Sequence, residues 1–173
     1  MGVPVDDDPA EDWADRHVAR WRDHWIDVGF DDEVEAITVR IGRIVRYFRR
    51  TKQEAVAEAG LQESEYDTLH QLMIRDTPGH ANPSDLATDL EISNAGMSGR
   101  LDSLERAGWI QRRTAPGDRR RVHVEVTKDG VEVWRRAMGL RGRAEDELIG
   151  ELSAEERTEL ARLLKKLTLR LEE

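Results

Sequence analysis

The chain has no cysteine in its 173 residues. That absence removes disulfides, zinc–thiolate centres, cysteine nucleophiles and thiol redox sensing. No apolar run approaches the ~20 residues of a membrane helix. The N-terminus lacks a basic-then-apolar leader, so a chain without a membrane partner and with a cytoplasmic address is expected. Catalytic signatures are missing too. There is no phosphate-cradling glycine loop, no Gly-x-Ser-x-Gly elbow and no His-Glu-x-x-His. The five histidines, His17, His24, His70, His80 and His123, show no metal-ligand spacing; His17 and His24 share a helix face but stand two turns apart. A non-enzymatic chain with no metal and no cofactor is expected. Aromatic residues make up only 5 %, yet five of them are tryptophan.

What the chain has in excess is acid, and the acid is unevenly spread. The formal net charge is −9, but residues 94–128 hold eight Arg or Lys against four Asp or Glu. That segment therefore stands at +4 and the remainder at −13. Residues 1–15 alone carry six acids and no base. One face that attracts phosphate on a body that repels it restricts a polyanion to a single orientation.

Residues 1–10, acidic with Pro4 and Pro9, read as disordered. Residues 11–173 read as one domain, of which 61–127 form one lobe and 11–60 with 128–173 a helical region. A first helix is expected from Asp12 to Val28, with Ala14, Val18, Trp21, Trp25 and Val28 on one face and Gly29 ending it. Asp31, Asp32 and Glu33 suit the positive end of a second helix, whose stripe is Val34, Ile37, Ile41, Ile44 and Phe48 and whose stop is Gly60. Ser64 is expected to cap a third helix to Arg75, with Tyr66, Leu69, Leu72 and Met73 inward. Residues 77–83 read as loop. After the hairpin region described next, a long helix follows Thr127 with Val131, Trp134, Met138 and Leu148 on one side. Ser153-Ala154-Glu155-Glu156 is a capping box for a last helix lined by Leu160, Leu163, Leu164, Leu167 and Leu171.

Between these lies the informative stretch. Ser84 to Leu90 is a short helix, Glu91-Ile92-Ser93 a tight turn, and Asn94 onward a second helix stopped by Gly108. Two helices across so short a turn form a helix-turn-helix. Ile110–Thr114 and Arg121–Val126 then read as strands around Pro116-Gly117, with Val122, Val124 and Val126 alternating with His123 and Glu125. The hairpin tip carries Arg119, Arg120 and Arg121. The fold class expected is mainly α with a small β-hairpin wing: a winged helix-turn-helix with a helical dimerisation region. Such a lobe grips duplex DNA, helix in the major groove and wing along the backbone. The flanking helices bear more apolar surface than a small lobe covers, which points to a homodimer on a pseudo-palindromic operator.

These segments, in this order, resemble the MarR family of bacterial transcriptional regulators. Asn82-Pro83-Ser84-Asp85-Leu86-Ala87 is similar to the family's first motif helix. Gly99-Arg100-Leu101-Asp102-Ser103-Leu104-Glu105-Arg106-Ala107-Gly108-Trp109-Ile110 resembles its recognition-helix ending, and Asp118-Arg119-Arg120-Arg121 with Val124-Glu125-Val126-Thr127 and Gly130 its wing. The helix bearing Arg16-His17-Val18-Ala19-Arg20-Trp21 resembles the extra helix of the family's urate-responsive branch. That likeness implies a small-molecule effector bound by Trp21, Asp67, Arg100 and Arg112, the tryptophan's place being open to Trp13 or Trp25. The expected effector is a small anionic or aromatic molecule that releases a repressor from its operator, urate first, with a phenolic compound or an antibiotic close behind. Asp67 would pair with an arginine until the anion displaced it.

Each assignment has a plainer reading. Arg119, Arg120 and Arg121 fit phosphate and minor-groove contact, with Arg120 best placed for the groove, although charge runs are commonly solvated loops. Ser93, Asn94, Ala95, Ser98 and Gly99 lie where base edges would be met, while Ser93 and Asn94 also suit a helix cap. Arg113 fits a phosphate, and Arg106 a phosphate or a carboxylate. Asp67, Arg100 and Arg112 equally fit structural ion pairs, and tryptophans at helical spacing fit packing. Two other classes stay open: an unregulated architectural DNA-binding protein, and a winged helix used as a protein-interaction module.

Overall fold

The computed structural model describes residues 10–22, 29, 31–115 and 118–172. The chain divides into two compact units, residues 1–49 and 50–173, the division falling inside a long helix. In the first unit, α1 (Trp13–Arg22) precedes the start of α2 (Asp32–Glu58). Asp31 opens α2 by accepting the backbone N–H groups of Glu33 and Val34, at 2.9 and 3.0 Å. Within this unit Arg40 of α2 donates to Asp12 at 3.0 Å and to Asp15 at 2.6 Å. The Arg40 hydrogen bond, followed by backbone N–H groups, lowers the Asp12 carboxyl to about 2. The expected continuation of the first helix through Trp25 and Val28 lies outside the described residues.

In the second unit the C-terminal turns of α2 lead to Gly60, at φ +83°, and α3 (Glu63–Ile74). The cap of α3 is Gln62, not Ser64: the Glu65 carboxylate reaches back to the Gln62 N–H at 2.9 Å, closing the turn two residues earlier. A two-residue strand β1 (His80–Ala81) follows, then α4 (Pro83–Asp89), α5 (Asn94–Arg106), β2 (Ile110–Ala115), β3 (Asp118–Val126), α6 (Lys128–Ile149) and α7 (Ala154–Leu171). The sheet order is β1-β3-β2, all antiparallel, with Ile110 opposite Val126, Arg112 opposite Val124 and His80 opposite Glu125. The fold is thus mostly helical with a small hairpin wing. Residues 77–83 are not all loop: β1 adds a third strand, and the Gly79 carbonyl takes the Val126 N–H at 2.9 Å. The strands also run longer at the tip than the alternation marked, to Ala115 and from Asp118. The turn at Pro116-Gly117 lies outside the described residues.

One core fills this unit. Leu69, Leu72, Leu86, Met97, Leu104 and Val124 are fully excluded from solvent, and Leu101 and Tyr66 nearly so. The core face of α6 runs through Gly130, Val133 and Ala137, one position away from the expected Val131–Trp134–Met138 face. Small residues prevail there because the helix is pressed onto the strand: a Cβ on Gly130 would fall 2.0 Å from the Trp109 carbonyl oxygen. Thr127 fixes that approach, its Oγ1 donating to the Gly108 carbonyl at 2.8 Å and accepting the Gly130 N–H at 3.0 Å. Trp134 and Met138 flank the core, half-buried.

Candidate nucleic-acid interface

The turn between α4 and α5 is built by Glu91, which takes a left-handed φ of +52°, and by Ser93. Ser93 Oγ accepts the Gly96 N–H at 3.1 Å, an N-cap that orients α5 at its first turn. Met97, Leu101 and Leu104 anchor the inner face of α5. Asn94, Ala95, Ser98 and Gly99 are exposed on the outer face. Gly99 meets nothing within 4 Å of the place a Cβ would occupy. A mid-helix glycine costs about 1 kcal/mol relative to alanine. Since nothing among the described residues requires it, the open backbone suits close approach by an external partner.

The wing presents two different faces. Gln111, Arg113, His123, Glu125 and His80 share one, as the register dictates. Glu125 organises it, taking Gln111 Nε2 at 2.9 Å and Arg113 Nε at 3.0 Å. Arg113 keeps 62 % of its side chain exposed, so its guanidinium still reaches solvent. Arg119, Arg120 and Arg121 fall on β3 directly after the turn; their side chains lie outside the described portion. A cleft of about 330 Å³ beside the wing base is lined by Arg75, Thr77, His80, Ala81, Asn82, Asp85 and His123. Six of these seven residues fall within residues 75–85, on the connection from α3 through β1 to the first turn of α4, and only His123 of β3 is distant in sequence; read as plain loop, that stretch gave no reason to expect a cleft. Arg75 there is paired with Asp89.

On its other face β2 carries Arg112, opposite Val124 and turned toward α5. Its NH1 meets Asp102 Oδ1 at 2.6 Å and Glu105 Oε2 at 3.6 Å, and its NH2 donates to the Ser98 carbonyl at 3.2 Å. Arg100 is half-buried, and its side chain makes no hydrogen bond or ion pair among the described residues. Asp67 pairs with Lys52 at 2.8 Å, not with an arginine. Lys52 projects from the last turns of α2 onto α3, whereas Arg112 is spent on α5. Trp21 belongs to the first unit, where it lies edge-to-face against His17 at 6.0 Å. Trp13 stacks on the same histidine at 5.1 Å with Arg43 over its ring. Trp25 lies outside the described residues.

Asp67 sits in a polar seam between α3 and α6 that the sequence did not announce. Tyr66 Oη donates to Met138 Sδ and accepts from Arg141 NH1, both at 3.0 Å. His70 stacks on Tyr66 at 5.5 Å, and its Nδ1 accepts the Trp134 indole N–H at 3.3 Å. Burial, and then the Arg141 and Lys52 charges, depress the His70 imidazole below its usual value; burial raises the Tyr66 phenol.

A capped helix with a small-residue outer face, held on a compact core beside a three-stranded wing, defines a winged helix-turn-helix DNA-binding protein. Residues 61–122 match the model of the MarR family. The chain is 31 % identical over 147 residues to the HTH-type transcriptional regulator PecS of Dickeya dadantii, covering 85 % of this chain and 87 % of that one. The transcriptional repressor MprA of Escherichia coli is 33 % identical over 91 residues, 53 % of this chain and 52 % of MprA. Among solved structures, YusO from Bacillus subtilis superposes with a TM-score of 0.72 at 19 % identity, covering 82 % of this chain and 99 % of YusO. The chain belongs to the MarR family. It is a DNA-binding transcriptional regulator. Among the described residues no group of three His, Asp or Glu is placed to hold a metal ion, and no helix is long and apolar enough to cross a membrane.

Proposed function

We propose that the chain is a homodimeric repressor whose α5 enters the major groove of a pseudo-palindromic operator. On this reading Ser93, Asn94, Ala95, Ser98 and Gly99 meet base edges and phosphates. Arg113, Arg119, Arg120 and Arg121 follow the backbone and minor groove. The observation that carries the reading is the outer face of α5, where exposed small residues and an unobstructed Gly99 open residues 94–128, a segment of net charge +4. The name of MprA supports repression. The exposed apolar stripes of α2 and α7 support a second copy, which would set two reading helices one helical turn of DNA apart.

The effector proposed is a small anionic or aromatic molecule such as urate or a phenolic compound, drawn to Trp21, Asp67, Arg100 and Arg112. Arg100, without a partner among the described residues, is open to an anion; Asp67 and Arg112 would exchange Lys52 and Asp102 for new partners. A ligand that favours one lobe position over the other shifts their populations. The test is a mobility-shift titration with operator DNA. Urate at millimolar concentration should release the wild type, with Arg100→Ala resistant. Retention of the shifted band throughout rejects urate, and a footprint without a bounded site rejects operator recognition.

A further inference from the structure

We infer that Arg112 masks the negative charge of the reading helix: it ties up Asp102 and Glu105 so that α5 approaches phosphate without two free carboxylates. The inference rests on the reading that α5 is presented to DNA.

Asp102 and Glu105 are three residues apart and therefore share a flank of α5. Their side chains are 52 % and 41 % exposed, on a helix whose adjoining outer face is made of Ala95, Ser98 and Gly99. Free carboxylates there would oppose every phosphate within a Debye length, ~10 Å at 0.1 M salt. The chain turns at Gly108, φ +80°, and returns along β2, bringing Arg112 back beneath the same two residues. One guanidinium then contacts both acids and the Ser98 carbonyl. The Arg112 backbone N–H also donates to Glu105 Oε1 at 3.0 Å, holding that carboxylate toward the strand. The local charge becomes −1 where two unmasked acids would leave −2. Arg112 thus acts on DNA through its partners, as a positioning residue, and needs no phosphate contact of its own.

Charge masking and simple bracing predict opposite signs. Operator affinity is measured at low and at raised salt. The double variant Asp102→Asn with Glu105→Gln, which keeps Arg112, should bind about threefold or more tightly at low salt, the gain shrinking as salt rises. Arg112→Ala should bind about tenfold more weakly at low salt and converge on wild type at high salt. Adding both neutral substitutions to Arg112→Ala should return affinity to near wild type. Weaker binding by the double variant overturns the inference, because the acids then hold the helix or touch DNA themselves. A salt-independent deficit in Arg112→Ala that the added substitutions do not repair also overturns it, leaving Arg112 a brace. Should Arg112→Ala fail to fold, the double variant decides alone. Ala95→Asp separates the premise: unchanged binding shows that α5 does not face DNA. Lost binding, with the wrong sign at Asp102 and Glu105, removes the mask alone.

Discussion

The helix that opens the DNA-reading lobe and the helix that ends the chain are both amphipathic, yet their apolar faces have opposite fates. On α3, Tyr66, Thr68, Leu69 and Leu72 are almost wholly removed from water by α5, α6 and the strands. On α7 no residue is buried, and Leu163, Leu167 and Leu171 stand 45 %, 53 % and 84 % exposed. The first half of α2 resembles α7, with Val34, Ile37 and Ile44 exposed. Burying one leucine is worth about 1.5–3 kcal/mol. The lobe with α6 against it therefore holds together on contacts within the chain, whereas α7 has leucines at helical spacing that this chain alone leaves wet. Amphipathicity reports that a face will be covered; it does not report by what.

The largest effect should come from breaking that second kind of face. Leu163→Glu together with Leu167→Glu should leave the lobe folded, since neither residue touches its core, and should convert the proposed dimer to monomer. Operator affinity should fall by about a hundredfold or more as the second half-site is lost. Sedimentation and operator titration on one preparation check it. A mass and an affinity equal to wild type would show that α7 is covered by something other than a second copy.

The converse substitution probes the lobe. Leu101→Ala, at a residue 1 % exposed beneath α5, should cost about 2–5 kcal/mol of stability. Oligomeric mass should stay unchanged. Denaturant unfolding gives the first quantity and sedimentation the second; a loss of mass with little loss of stability would reverse the roles assigned to the two regions.

Most of the lobe was legible because its signals are local. Ser93, the α4–α5 turn and the valine alternation of β3 each depend on neighbours within a few residues, as does the Ser153 capping box beyond the lobe. What escaped is set by partners far along the chain. β1 is two residues long and exists only because Val124 and Glu125 pair with it. The face of α6 was displaced because its sequence favours the large Trp134 and Met138, while close contact with the Trp109 carbonyl requires Gly130 and turns Val133 and Ala137 inward with it. Asp67 was expected to meet an arginine; Lys52, fifteen residues earlier on a different helix, took it instead. Arg112 was placed correctly in the lobe, but its two carboxylates become visible only when the hairpin folds back on α5.

The seam between α3 and α6 sharpens the comparison at a smaller scale, since it is where the lobe meets a long helix through polar contacts. His70 must keep a lone pair on Nδ1 to accept the Trp134 N–H. Lys52 from α2 and Arg141 from α6 oppose a proton there, Asp67 of α3 favours one, and Glu63 and Glu145 lie behind the two cations. Burial, the largest cause, acts with the two cations against Asp67, and the imidazole titrates below its ordinary 6.5. For a base whose folded value is depressed, the unfolded chain binds the proton first. The seam's contribution is therefore complete above about pH 6.5 and is lost as pH falls below it toward the folded value. Thermal melts of wild type should drop between pH 7 and pH 5 more steeply than those of His70→Gln, whose amide oxygen accepts the indole N–H without titrating. The two proteins differ only at position 70, so the difference isolates His70. Parallel melting profiles would show that the ring stacks in the seam without the indole hydrogen bond contributing to stability.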